Sequence, residues 1–230
     1  MEKGNIGHIY INIRHIYKYI YIIFPALALL GGCSASRENT YNTQEDRIDK
    51  YLSSVTASVT YPGTSYRNYW AKEDIISMTA KTEENSEGGL DTLSVTVTVK
   101  PRRTVRQNGS NKAVWTEGAG EEAGSKAAVT FYYEAYTFDS KPQNLFATNM
   151  QSLVDSGSWT VTDPDCSPVT LNLDDKNRTE GLRNGLLGCR AGEESYIIFS
   201  GKYGFGKKPL GTIPANSALF YHVIIESIRN

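Results

Sequence analysis

This 230-residue chain has little of what acid–base, redox or metal chemistry needs. Of its three histidines, His8 and His15 lie upstream of Cys33, which leaves only His222 in the body of the chain. That excludes a histidine-rich metal centre. A Ser-His-Asp triad would have to use His222, which falls in an alternating strand pattern and reads as a strand-surface residue. The three cysteines, Cys33, Cys166 and Cys189, show no CxxC spacing, so zinc and dithiol redox readings lack support. No metal and no cofactor is expected. Net charge is also small. The net value is −1, and because residues 1–32 set Glu2 against Lys3, Arg14 and Lys18, the remainder carries −3. A mildly acidic surface is not a nucleic-acid footprint. The apolar run Tyr19 to Leu30 is too short for a comfortable membrane span.

That run has a different use. Lys3, Arg14 and Lys18 precede it, and it ends in Leu30-Gly31-Gly32-Cys33. A basic start, a short apolar stretch and small residues form a targeting signal rather than structure. The end of the run resembles the bacterial lipobox. The resemblance implies a signal peptide over 1–32 and lipidation of Cys33, through its thiol and then its freed amine. Several acyl chains give stable anchoring where one does not. Ser34, where an aspartate would favour inner-membrane retention, points to the outer membrane. A transmembrane anchor with an incidental cysteine is the alternative, and the position of the small residues and Cys33 at the end of the run argues against it.

Residues 33–43 are polar and read as a flexible tether. An accessory region over 44–110 follows. Thr43 is a candidate cap for a short helix in which Ile48, Tyr51, Leu52 and Val55 share one face. Leu90 to Lys100 alternates clearly as a strand, and Arg102 to Asn111 reads as a basic, polar turn region. From residue 111 onward strands recur, at Val129 to Phe138, at Val169 to Leu173 and at Tyr196 to Phe199, with a helix over Lys176 to Leu187 ended by Gly188. A polar insertion, Met150 to Ser167, carries Trp159 and is expected to form a small hairpin beside any pocket.

The C-terminal series is the informative one. Gly192-Glu193, the strand Tyr196 to Phe199, Phe205-Gly206, Ile213-Pro214-Ala215-Asn216-Ser217-Ala218-Leu219 and a last strand to Ile228 follow one another in order. This series resembles the end of the FKBP-type peptidyl-prolyl isomerase domain, and the resemblance extends over Ala113 to Ile228. It implies an α+β fold over 111–230, in which a bent antiparallel β-sheet wraps a short α-helix. It also implies isomerisation of X-Pro bonds. The pocket residues carried over are Tyr132, Phe146, Phe205, Ile213 and Tyr221 as catalytic walls. Val169, Arg178, Thr179 and Leu182 are carried over as substrate contacts, with Leu182 as the floor. Both faces of the strands at Phe131 and Phe220 carry apolar bulk, so the stretch Tyr41 to Lys100 is expected to cover the outer one.

Four departures from the family pattern bear on activity. Phe205 stands for a tyrosine, Ala147 for an aspartate, Arg178-Thr179 for an apolar pair and Tyr221 for a phenylalanine. The expectation is a monomeric, lipid-anchored isomerase with weak turnover, acting on proline-containing segments of envelope proteins. The alternative classes are a non-catalytic binding or chaperone module on the same fold, and a structural partner in a surface assembly.

Overall fold

Asn108 and Gly109 both adopt left-handed backbone, with φ of 47° and 76°. They turn the chain in two residues between strands β4 (Arg103–Gln107) and β5 (Ser110–Thr116). Asn-Gly suits such a turn because both positions need positive φ. This hairpin corrects the reading of Arg102 to Asn111 as a turn region, and it moves the start of the domain's sheet upstream to Arg103.

The computed structural model describes residues 35–62, 75–84 and 90–230. Residues 1–34, including the signal segment and the lipidation candidate Cys33, lie outside the described residues. The chain forms two units, 1–42 and 43–230. Residues 35–42 of the first are helical, so the expected flexible tether is corrected there. Glycine and proline are absent from these residues and from 43–54, which suits helix, and Thr43 itself takes helical backbone rather than the extended backbone of a cap. In the second unit, helical residues 43–54 form α1.

Strands β1 (Ala57–Pro62), β2 (Ile75–Glu84) and β3 (Leu90–Val99) form an antiparallel sheet of order β1-β3-β2. The strand expected at Leu90 to Lys100 is its centre. Val95 and Val97 are buried, while Thr96 and Thr98 pair their hydroxyls with Thr60 and Ser58 across the ladder at 2.9 and 3.0 Å.

The larger sheet carries the site. Its further strands are β6 (Ala128–Phe138), β7 (Pro142–Thr148), β8 (Val169–Asn172), β9 (Glu194–Phe199) and β10 (Ala218–Arg229). The order is β4-β5-β9-β10-β6-β7, wholly antiparallel, and β8 pairs with the other half of the β6 edge. A short helix, α2 (Gln151–Asp155), replaces the hairpin expected in the insertion. Helix α3 (Glu180–Leu186) is shorter than expected, because Asp175 accepts the Asn177 N–H at 3.0 Å and holds the preceding residues in a turn.

Helix α3 lies against β9 and β5 with Leu182 and Leu186 buried. Two glycines permit this. A Cβ at Gly181 would enter the Phe199 ring, and one at Gly185 would strike the Ile197 side chain. The two faces of the sheet hold two cores. The inner one gathers Val129, Phe131, Ala135, Leu182, Ile197 and Val223 with their neighbours. The outer one gathers Ile48, Phe138, Ile198, Ala218 and Phe220, with Tyr51 and Leu52 of α1 packed on it. The expected cover over Phe220 is thus α1, and Phe131 is buried from the opposite side. Below the sheet, Lys112 and Glu193 form a buried pair at 3.0 Å, and Glu193 also accepts from Arg103 and Ser195 at 3.2 Å each.

Candidate functional site: an aromatic cavity on the inner face

The inner face of β6 and β10, the end of β7, the start of α3 and the loop between Gly204 and Ser217 enclose a cavity of about 1010 Å³. Its aromatic walls meet edge to face. Phe146 stands 6.2 Å from Tyr221 and 6.3 Å from Phe205, with interplanar angles of 85° and 75°. Tyr133 lies 6.2 Å from Tyr221, and Phe199 stacks behind Tyr221 at 5.8 Å. Such pairs fix ring orientation as well as burying area.

Eight of the nine residues carried over from the family line this cavity. Phe146, Phe205, Ile213 and Tyr221 do so as walls. Val169, Arg178, Thr179 and Leu182 also line it, although they are far apart in the chain. Tyr132 does not. On β6 the inward residues are Val129, Phe131, Tyr133 and Ala135, and Tyr133 pairs with the buried Val223 of β10. Tyr132 pairs with Ile224, which is 38% exposed on the other face. A one-residue slip moves a side chain across a sheet, and the wall is Tyr133. Phe131 and Trp159 also line the cavity and were not among the expected residues. Trp159 comes from the insertion, held where its N–H meets the Leu153 carbonyl at 3.0 Å. The alternation of Val129, Phe131 and Ala135 with Thr130 and Glu134 is the signal that would have identified Tyr133.

The overhanging loop is tied to itself. Leu210 and Ile213 exchange backbone hydrogen bonds at 3.0 and 2.9 Å, and Gly206 accepts the Asn216 N–H at 2.7 Å. Asn216 has φ of 57°. This small hairpin carries Phe205 and Ile213 over the cavity.

The opposite rim depends on Asn149. Strands β7 and β8 leave a gap along the β6 edge, and the buried Asn149 fills it. Its Oδ1 accepts the Tyr133 N–H at 2.6 Å, and its Nδ2 donates to the Phe131 and Ser167 carbonyls at 3.3 and 2.9 Å. The side chain so replaces a missing strand residue between two cavity-lining aromatics.

Polar chemistry is sparse. Among the described residues, Arg178 is the one charged side chain in the lining. It is 64% exposed, with Asp175 3.5 Å away. Burial raises the Tyr221 phenol well above its usual range, so it stays neutral. The methyl of Ala147 lines the cavity where the family has a carboxylate. The cluster of titratable groups is on the outer face instead, where His222 sits between Glu194 at 2.9 Å and Glu134 at 3.5 Å. Among the described residues, no cluster of His, Cys, Asp or Glu is arranged to hold a metal ion. The cavity can offer an apolar, ring-walled hollow to an extended peptide, and little else.

Parts of the chain are similar to known proteins. The family model of the FKBP-type peptidyl-prolyl cis-trans isomerase matches residues 120–226. FK506-binding protein 1 of Aspergillus oryzae is 29% identical over 121 residues, which span 53% of this chain and 99% of that protein. Among solved structures, the N-terminal domain of FKBP42 from Arabidopsis thaliana matches with a TM-score of 0.44 at 17% identity, over 56% of this chain and 93% of that one. FkpA from Escherichia coli matches with a TM-score of 0.43 at 15% identity, over 93% of this chain and 71% of that one. Residues 120–226 of the chain thus form an FKBP-type peptidyl-prolyl cis-trans isomerase domain.

Proposed function

We propose that the aromatic cavity turns X-Pro bonds in proteins folding in a bacterial cell envelope, with the chain held to a membrane by lipid on Cys33. The observation that carries the catalytic part is the open cavity walled by Tyr133, Phe146, Phe205 and Tyr221. Rotation about the peptide bond meets a barrier of about 18–20 kcal/mol, because the twisted amide loses conjugation. No nucleophile or proton shuttle is needed to lower it. An amide stripped of water loses the hydrogen bonds that favour its planar, charge-separated form, and a pocket shaped to the twisted state binds that state more tightly. The prolyl ring would sit among the four rings above Leu182. The extended chain would leave past Val169 on one side and Ile213 on the other.

The basic, apolar and small-residue pattern ending at Cys33 supports the anchor, and Ser34 supports the outer membrane. The clients would be proline-containing segments of envelope proteins, met by a monomer. One observation favours a second reading. Ala147 and Phe205 offer a methyl and a phenyl ring where the family offers a carboxylate and a hydroxyl, so the polar grip on substrate is thin. The cavity then serves chiefly to hold apolar peptide segments, with slow turnover.

Protease-coupled isomerisation of a proline tetrapeptide by the full chain separates the two. Catalysis above the uncatalysed rate, lost in Phe146→Ala, supports the isomerase. Peptide binding without rate enhancement supports the holding role, and neither activity defeats both. Metabolic labelling with a fatty acid, compared with Cys33→Ser, tests the anchor.

A further inference from the structure

The last paired residues of β9 and β10 are Phe199 and Leu219. Beyond them the strands part to make the loop over the cavity, and the ladder ends. At that point Gly201 and Asn216 approach so closely that a Cβ on Gly201 would strike the Asn216 backbone. The side chain of Gln44, from α1, joins them. Its Oε1 accepts the Gly201 N–H at 2.8 Å, and its Nε2 donates to the Asn216 carbonyl at 2.8 Å. A primary amide carries one acceptor and two donors in one plane, so it can stand in for a backbone peptide. Gln44 is therefore an additional rung on the β9–β10 ladder, supplied by a distant helix.

We infer that Gln44 is a positioning residue for the peptide site, holding closed the base of the loop that places Phe205, Leu210 and Ile213 over the cavity. The helix that supplies it is itself fixed. Ile48 is fully buried beneath it, Tyr51 meets Phe138 and Phe220 edge to face at 5.4 and 6.2 Å, and Arg106 reaches Glu45 and Asp49. With α1 so held, the amide is preorganised, and little entropy is lost in keeping the rung. The chain segment just ahead of the domain thereby becomes part of the binding site without touching peptide.

The inference rests on the proposed peptide site only for its ligand arm. Amide exchange tests the rung independently. In Gln44→Ala, exchange of the Gly201 N–H should rise at least tenfold, while core amides of β6 and β10 stay protected. Affinity for a proline tetrapeptide should fall about three- to tenfold. Gln44→Glu provides the sharper readout. Its carboxylate faces the Asn216 carbonyl without a proton to donate, and the defect should match or exceed that of alanine at pH 7. A protonated carboxyl has one donor and one acceptor, so protection and affinity should recover as pH falls through the ordinary glutamate range, near 4–5. Wild type measured across the same range supplies the baseline. Faster exchange with unchanged affinity would overturn the coupling to the site, and unchanged exchange would overturn the rung itself. If no variant and not even wild type binds the peptide, the proposed function fails while the exchange result still decides the rung.

Discussion

His222 shows how much a single side chain can tie together. Burial alone would lower its pKa, but hydrogen bonds to Glu134 and Glu194 outweigh that and raise it from 6.5 to about 9. The His222 hydrogen bond is in turn the main reason that both carboxyls are lowered. A raised histidine stabilises the fold fully below its unfolded value near 6.5, and that contribution is lost as pH rises through about 9. The lowered carboxylates contribute above their ordinary value of 4.5 and lose it as pH falls further. The cluster therefore helps most between about pH 4.5 and 6.5. Urea unfolding of wild type and His222→Gln should differ clearly at pH 6 and converge by pH 10. Equal gaps at both values would show that the charge is idle. On the inner face, Tyr133→Ala should reduce peptide kcat/KM by about tenfold or more, equal to about 1.4 kcal/mol, and Tyr132→Ala should leave it near wild type. The reverse pattern would show that the strand faces have been assigned backwards. The Tyr132 expectation failed because Phe131, Tyr132 and Tyr133 are three adjacent aromatics, and size alone does not tell the faces apart. Phe205 and Ile213 were legible because Gly204, Gly206 and Pro214 beside them fix the spacing of the series, and Phe146 because it keeps the family's aromatic residue after the turn at Pro142.

At the scale of elements, helix α3 sets propensity against packing. Replacing glycine by alanine within a helix ordinarily gains about 1 kcal/mol. At Gly181 the new methyl would enter the Phe199 ring, and overpacking of that kind costs about 1–3 kcal/mol or more. Gly181→Ala should thus lower stability by up to about 2 kcal/mol net in denaturant unfolding, and a gain in stability would mean that helix and sheet can slide apart. The glycines in KNRTEGLRNGLL were visible in the sequence, but the ring beneath them was not, because Phe199 comes from a strand formed later in the chain. The β4–β5 hairpin was legible in principle. Asn108-Gly109 is the strongest two-residue hairpin signal, but the arginines around it read as a solvated turn. Two of those arginines are used instead: Arg103 reaches Glu117 and Glu193, and Arg106 reaches α1. In strands β1 and β2 the alternation is brief, as in Val59 and Tyr61 against Ser58 and Thr60, and so short a run did not identify them as strands.

Taken as one body, residues 43–230 pack a sheet between two apolar layers, and each layer depends on an element that the other does not touch. The inner layer closes on α3, and the outer layer closes on α1 through Ile48, Tyr51 and Leu52. The apolar face of α1 was legible from its periodicity; that it would sit on Phe138 and Phe220 follows only once those rings share a sheet face. Ile48→Ala should cost about 2–4 kcal/mol, the range for emptying a buried aliphatic site. Tyr51, Phe138 and Phe220 should then bind a solvatochromic dye that wild type does not. A loss below about 0.5 kcal/mol would mean that α1 is an ornament on a self-sufficient domain.

The Asn149 plug has one more implication. If the clients are half-folded chains, as proposed, any bare strand margin invites the visitor to zip on and stay. By occupying the Phe131 carbonyl and the Tyr133 amide with its own carboxamide, the molecule blunts the margin nearest its mouth. Under the proposed function, a guest at this margin would then be gripped through its side chains and let go, since these two backbone groups are already taken.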